Sequence, residues 1–465
     1  MKRFLCVVLG ICMLLGLCAC SNNNTTTENE SPLKVGFGRV DVTPDFSVGL
    51  AGYFNAETRR STGVVDQLYI TCVAITEAEE TVLMLTADTL WLGGANLATF
   101  RSSVSSATGI AQDKIFVGAT HSHSAPDLDI GDEQCEKYKT LFFDRAAKAA
   151  LAALEDQAPA TLRATTTNLP GMNFVRHNKM DDGSYAGSNF GSFITARPVD
   201  YATETDPQMV LVQFDRTGDK QDILMMNWQA HADRAKEIGN TMLSASWVGP
   251  ARSKLEQDSG MLVAYFTGAS GNLNPDSRIT TDQNKLKWRE YGETLAVFAA
   301  AALKNLKAVE GSGIQTKQTK LDLEVDHSWD HMIDQANEVY ALWKSEDKDA
   351  GDALGSTYGF TSSYQAEAIR TRFAMSPTEQ LEINACRIGG IGFVNGTYEM
   401  FSDAGLYIKR NSPYEITFVI SGNYTYIPSA AAFDYRSYEA DTGMYAKGTA
   451  EKLAEEFVSM LKDIQ

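Results

Sequence analysis

From Leu33 onward the apolar and polar positions alternate between the two periods of a mixed α/β chain. Residues 34–44 read as a strand stopped by proline, 50–54 as a glycine-containing turn, 68–76 as a strand and 81–88 as a buried one. Residues 95–107 have helical spacing and 114–120 form the next strand, a βαβ-like succession. Residues 133–152 predict a strong amphipathic helix and 160–167 a strand. Residues 171–200 then read as a long irregular loop carrying Asn173, Arg176, His177 and Asn178, and loops of that length are more often functional than neutral.

Residues 209–215 and 223–228 predict a strand pair across a Thr217-Gly218-Asp219 turn, 247–257 a helix and 261–266 a buried strand. That strand breaks into the glycine- and asparagine-rich run 267–276, which suits close backbone approach to a ligand. Further on come a helix over 285–305, an edge strand over 314–325, and helices over 327–344 and 364–373 flanking a charged surface insertion. Two strand runs over 379–393 joined near Gly389-Gly390, a helix over 400–410, a strand over 416–421 and a closing helix over 446–462 complete the chain. The expected fold is a mixed-sheet α/β single large domain over 33–465, without internal repeats.

Chemistry gathers at strand ends. The run 114–127 delivers Thr120-His121-Ser122-His123 where an apolar strand gives out, and in extended backbone residues i and i+2 share a face, so both histidines can serve one centre. Other predicted strands run out at His231, at Glu399, and at Tyr424 or Tyr426. Two imidazoles and a carboxylate with an open position suit a catalytic divalent metal. Asp88, at a corresponding strand end, reads either as the orienting partner of a ligand histidine or as a cap. His327 and His331 are spaced i, i+4 without the glutamate of a zinc helix motif, and read as surface or packing residues.

Composition bounds the function class. The 465 residues are 44% hydrophobic and 22% charged, ordinary globular usage, and the net charge of −18 disfavours a nucleic-acid partner. Lys2 and Arg3 before the apolar run 4–17 predict a secretory signal, and Leu17-Cys18-Ala19-Cys20 resembles a bacterial lipobox. The expectation is a lipoprotein signal peptide over 1–20, a polar tether over 21–32, and a protein secreted across the cytoplasmic membrane and lipid-anchored at the bacterial cell envelope through Cys20. Of seven cysteines, Cys72, Cys135 and Cys386 lie in the body, too scattered for a disulfide framework.

Gly36 to Thr43, Asp88, the Ala119-to-Pro126 run, Ala230-His231, Asn395 to Glu399, Tyr426-Ile427-Pro428 and Tyr438-Glu439 occur in the order of the neutral/alkaline ceramidase N-terminal family, which the chain resembles over nearly its whole length after the tether. The resemblance implies a Zn2+ ion held by His121, His231, Glu399 and Tyr426, with Tyr424 the fallback for the last position. It implies His123 beside the substrate carbonyl as general acid, Arg176 as a substrate-binding residue, and attack of zinc hydroxide on an N-acyl amide of a lipid, ceramide-like substrate. The sequence departs from the family at Gly271-Asn272-Leu273-Asn274-Pro275-Asp276, where Asn274 replaces a serine, so a hydroxyl nucleophile there is excluded. Full-length relatives also carry a C-terminal β-sandwich domain, whereas this chain closes on its terminal helix. The rival expectation is a catalytically silent, ligand-binding lipoprotein of the same fold.

Overall fold

Lys34–Asp41, alternately apolar and small, sits in the middle of a nine-stranded mixed sheet and pairs antiparallel with Tyr69–Glu77 and Ala158–Asn168. This is a computed structural model, and it describes residues 33–53, 56–187, 198–276, 287–345 and 347–465. The expected signal segment with Cys20 and the tether over 21–32 lie outside the described residues. The sheet runs Leu262–Thr267, Ile223–Trp228, Gln208–Arg216, Ala158–Asn168, Lys34–Asp41, Tyr69–Glu77, Glu80–Ala87, Ile115–Ala119, with the short Lys307–Ala308 beside Ala158–Asn168.

The outermost pair at each edge is parallel, because each is joined by a crossover helix: Gly94–Thr108 on one side and Val248–Ser259 on the other. A four-stranded sheet follows the same rule. Ile314–Glu324, Thr378–Ile388 and Ile391–Gly396 are antiparallel, and Ile391–Gly396 is parallel to Ile416–Ser421 across the helix Ser402–Asn411. Among the described residues these two sheets thus contain three parallel pairs with crossover helices, and the candidate site is built at their carboxyl ends.

The two edge strands of the large sheet, Ile115–Ala119 and Leu262–Thr267, both pack on Ile416–Ser421. Unpaired backbone groups on such edges would be costly inside the protein, and buried asparagines satisfy several of them. The Asn395 side chain donates to Val117 O and accepts from Val117 N, each at 2.9 Å. Asn227 donates to Phe266 O at 2.9 Å and Val419 O at 2.8 Å, and Asn423 to Ala119 O at 3.0 Å. Between the sheets lies an apolar core including Met84, Phe116, Phe266, Phe393 and Phe418. On the other face of the large sheet, Gly36 and Gly38 let the helix Glu133–Glu155 approach closely. A Cβ would meet Ala153 O at 2.0 Å from position 36 and Ala149 O at 2.1 Å from position 38.

Two expectations change, and the open reading of Asp88 is decided for the cap. The region 171–200 contains the short strands Asn173–Val175, His177–Met180, Tyr185–Gly187 and the start of Pro198–Tyr201, and 188–197 lie outside the described residues. These strands are too short and polar to show a period-2 pattern. The charged insertion contains a helix, Lys348–Thr357, capped by Asp347, with Gly351 placed close to Trp343. Asp88 touches no histidine: it accepts from Tyr69 N at 2.8 Å and pairs with Arg252 at 2.7 Å, a buried strand-end cap and ion pair. Cys72, Cys135 and Cys386 are buried free thiols, and no described helix is long and apolar enough to cross a membrane.

Candidate metal centre and cleft

His121 follows the strand Ile115–Ala119, and its backbone is left-handed, with φ of 61°. The two histidines of the run therefore do not converge as alternate residues of an extended strand. A turn brings them together, and backbone pairing holds that turn against the neighbouring loop: Ser122 bridges Ala232 in parallel register, and His123 N donates to Ala232 O at 3.1 Å. His231 is thereby placed beside His121, their ring centroids 4.5 Å apart. Glu399 and Tyr426 follow the parallel pair Ile391–Gly396 and Ile416–Ser421, and lie directly opposite each other in a short parallel ladder.

All three imidazoles are oriented by backbone carbonyls. His121 Nδ1 donates to Leu90 O at 2.9 Å, His123 Nδ1 to Gly52 O at 3.0 Å, and His231 Nδ1 to Ser270 O at 3.0 Å and Leu273 O at 3.2 Å. A carbonyl can only accept, so each Nδ1 carries the proton and each Nε2 presents a lone pair, that of His231 also facing Arg176 Nη1 at 3.2 Å and the Tyr426 hydroxyl at 3.4 Å. Those lone pairs converge. His121 Nε2 and His231 Nε2 lie 3.6 and 3.4 Å from Glu399 Oε2, and His123 Nε2 lies 3.3 Å from His121 Nε2. Glu399 is 4% exposed, and its Oε2 has no hydrogen-bond donor. His121 Nε2, His123 Nε2 and Glu399 Oε2 are acceptors crowded around one point, and a cation among them would remove their mutual repulsion.

The electrostatics agree with this donor set. Burial pushes the His121 and His231 imidazoles well below the ordinary histidine range, with His123 and Arg176 adding to it, and burial raises the Glu399 carboxyl well above its ordinary range. The imidazoles are neutral, as metal ligands must be; Arg176 and the Tyr426 hydroxyl favour an ionised Glu399 but do not overcome its burial, and a bound cation would add to them. Among the described residues, the three histidines satisfy the spacing of a metal group, their ligand atoms lying within 4.8 Å of one another. They differ in access, however. His121 and His231 are 2% and 1% exposed, whereas His123 is partly open to a cleft of about 390 Å³.

Tyr426, and not Tyr424, reaches the cluster: its hydroxyl is 3.4 Å from His231 Nε2, while Tyr424 is 44% exposed and packs edge-on against Trp91. Arg176, expected to touch substrate, lies behind the cluster at 2% exposure and is not in the cleft wall. It donates to Gly271 O at 2.6 Å and Tyr426 OH at 3.4 Å, contacts His231 Nε2 at 3.2 Å and is ion-paired to Glu439, which in turn holds His177 Nε2 at 2.7 Å. Its geometry is that of a positioning residue. The glycine-rich run 267–276 is also structural. A Cβ on Gly271 would meet Glu399 O at 2.5 Å, and Leu273 and Ser270 supply the carbonyls that orient His231. Asn274 lies in the short strand Leu273–Pro275, in register with Phe174 of Asn173–Val175.

Sequence reasoning missed Gly52 and Arg59. Gly52 has φ of 98° and a Cβ there would lie 2.5 Å from His123 Nδ1, while Arg59 donates to His123 O at 2.8 Å. The glycine was visible, but its long-range partner was not.

The family model described as neutral/alkaline non-lysosomal ceramidase, N-terminal, matches residues 33–276. Among solved structures, the neutral ceramidase from Pseudomonas aeruginosa superposes with a TM-score of 0.69 at 16% identity, covering 93% of this chain and 74% of that one. A ceramidase complexed with C2 gives a TM-score of 0.67 at 15% identity, covering 93% and 75%. No curated protein matches. With more than half its length matched by one family and its fold shared with ceramidase structures, the chain belongs to the neutral/alkaline non-lysosomal ceramidase N-terminal family.

Proposed function

We propose that the protein is a zinc-dependent hydrolase of an N-acyl amide, with His121, His231, Glu399 and Tyr426 as the metal ligands. The observation that carries this reading is the convergence of the His121 and His231 Nε2 atoms on Glu399 Oε2, which has no hydrogen-bond donor, beside an open cleft. Two imidazoles, a carboxylate and a phenol are a donor set that zinc accepts, and zinc, when bound, supplies a Lewis acid and lowers the pKa of water to about 7.

The chain's own groups do the rest. His123, its Nδ1 proton held by Gly52, presents Nε2 as an acceptor toward the cleft; it takes a proton from the attacking water and returns it to the departing amine. It thus acts as base before acid. Tyr426, steadied by Arg176, points its hydroxyl toward the same centre and donates to the developing oxyanion, a contribution of about 2.7–4 kcal/mol where such donors have been removed. Glu439 holds Arg176 in place.

The test is release of free amine and fatty acid from a short-chain N-acyl amide. The reading expects turnover that is lost on chelation and restored by zinc; turnover that survives complete metal removal contradicts it. The domain from 33 to 465 then acts at the envelope surface, tethered through residues 21–32 and a lipid on Cys20.

A further inference from the structure

The cleft holds a feature that the metal chemistry does not need. Beginning at Tyr426, a ladder of edge-to-face rings runs along its wall: Tyr426 to Tyr438 at 5.9 Å, Tyr438 to Tyr364 at 5.8 Å, and Tyr364 to Trp343 at 5.1 Å. Trp343 and Tyr364 come from the helices Ile333–Lys344 and Ser363–Phe373, outside the stretch matched by the family model. The same cleft is lined by the carboxylates of Glu57, Asp127, Asp129, Glu367 and Glu399 against one cation, Lys344, which is itself 3.3 Å from Glu57.

This combination discriminates between substrates. An alkyl chain laid along the ladder would strip water from Glu367 and Asp127 without replacing it, and burial already raises both carboxyls above their ordinary range. A ring with apolar faces and hydroxyl edges stacks on tyrosine and gives those carboxylates donors. Anionic groups are repelled by the wall. The volume of about 390 Å³ is also at the small end of ligand clefts, which span about 300–1,000 Å³. The unpartnered and buried Glu399 Oε2 at the head of the ladder marks where the bond to be broken sits.

We propose that the substrate is an N-acylated amino sugar whose amine half, an uncharged hydroxylated ring, is seated on Tyr364 and Tyr438 with Glu367 accepting from its hydroxyls. The turnover part of this proposal rests on the hydrolase reading, but binding to the ladder does not. Water adds to the amide carbon, the C–N bond breaks, the carboxylic acid keeps the water oxygen, and the amino sugar leaves with the transferred proton.

The experiment compares N-hexanoylglucosamine with N-hexanoylsphingosine on the full chain, reading affinity by calorimetry and hexanoate release separately. The expected result is at least about tenfold tighter binding of the sugar amide, lost by about the same factor in Glu367→Gln, the scale of one charge-assisted hydrogen bond. Tyr364→Ala has the same expected direction, and the near-isosteric Glu367→Gln keeps the test valid if that variant does not fold. Preference for the sphingosine amide, or unchanged sugar binding in a folded Glu367→Gln, overturns the proposal. Sugar binding without hexanoate release from either compound supports the subsite and refutes the hydrolase; release from the sphingosine amide alone does the reverse.

Discussion

His121, His123 and His231 have the same side-chain chemistry and the same kind of carbonyl partner at Nδ1, but His123 is only partly buried, and the proposed mechanism gives it different work. His123→Ala is expected to retain the metal and lose about 10²–10⁴-fold in kcat, the usual range for a proton-transfer group, as measured by steady-state kinetics with parallel metal analysis. Gly52→Ala is expected to act through the same ring, because its new Cβ falls on the His123 imidazole; kcat falls while the metal stays bound. Glu439 provides a pH-dependent prediction. Burial would raise its carboxyl, but the charges of Arg176 and then His177 overcome this and hold it at about 2, below the ordinary value of 4.5. A depressed carboxylate contributes its stability above the unfolded value, so this contribution is present above about pH 4.5 and disappears as pH falls toward 2. Denaturant melts across that window are expected to show a smaller loss of stability in Glu439→Gln, which starts about 3–5 kcal/mol lower because it leaves Arg176 buried without its carboxylate.

The elements legible in the sequence were those whose burial leaves a pattern. Strands such as Glu80–Ala87 and Leu262–Thr267 are apolar runs because both faces are covered, and helices such as Glu133–Glu155 keep one apolar stripe. The resemblance named the residues of the site, and their strand ends were visible from the apolar runs. The route by which they meet was not. The left-handed backbone at His121, the Asn395 and Asn423 edge pairings, and the approach of Gly271 to Glu399 all depend on partners far away in the chain. The resemblance implied substrate contact for Arg176, and the ion pair that holds it behind the cluster was not legible because Glu439 lies 263 positions away. The helix–sheet contact makes its own prediction: Gly38→Ala places a methyl on Ala149 O and must separate Lys34–Asp41 from Glu133–Glu155. A loss of about 1–3 kcal/mol by thermal or chemical denaturation is expected, the range for overpacking, without change in metal content.

For the whole molecule, three parallel strand pairs each contribute from their carboxyl ends, so the centre sits where the two sheets meet and is framed by the helices beyond them. Its assembly therefore requires the complete fold. The metal claim underlies the rest of this account, and the most direct measurement is zinc stoichiometry by mass spectrometry on protein purified without chelator or metal-affinity tag, beside His121→Ala and Glu399→Gln. The account predicts about one zinc per chain, reduced or lost in both variants while their circular dichroism is unchanged. Wild-type protein that holds no metal and takes up none from added zinc would contradict it.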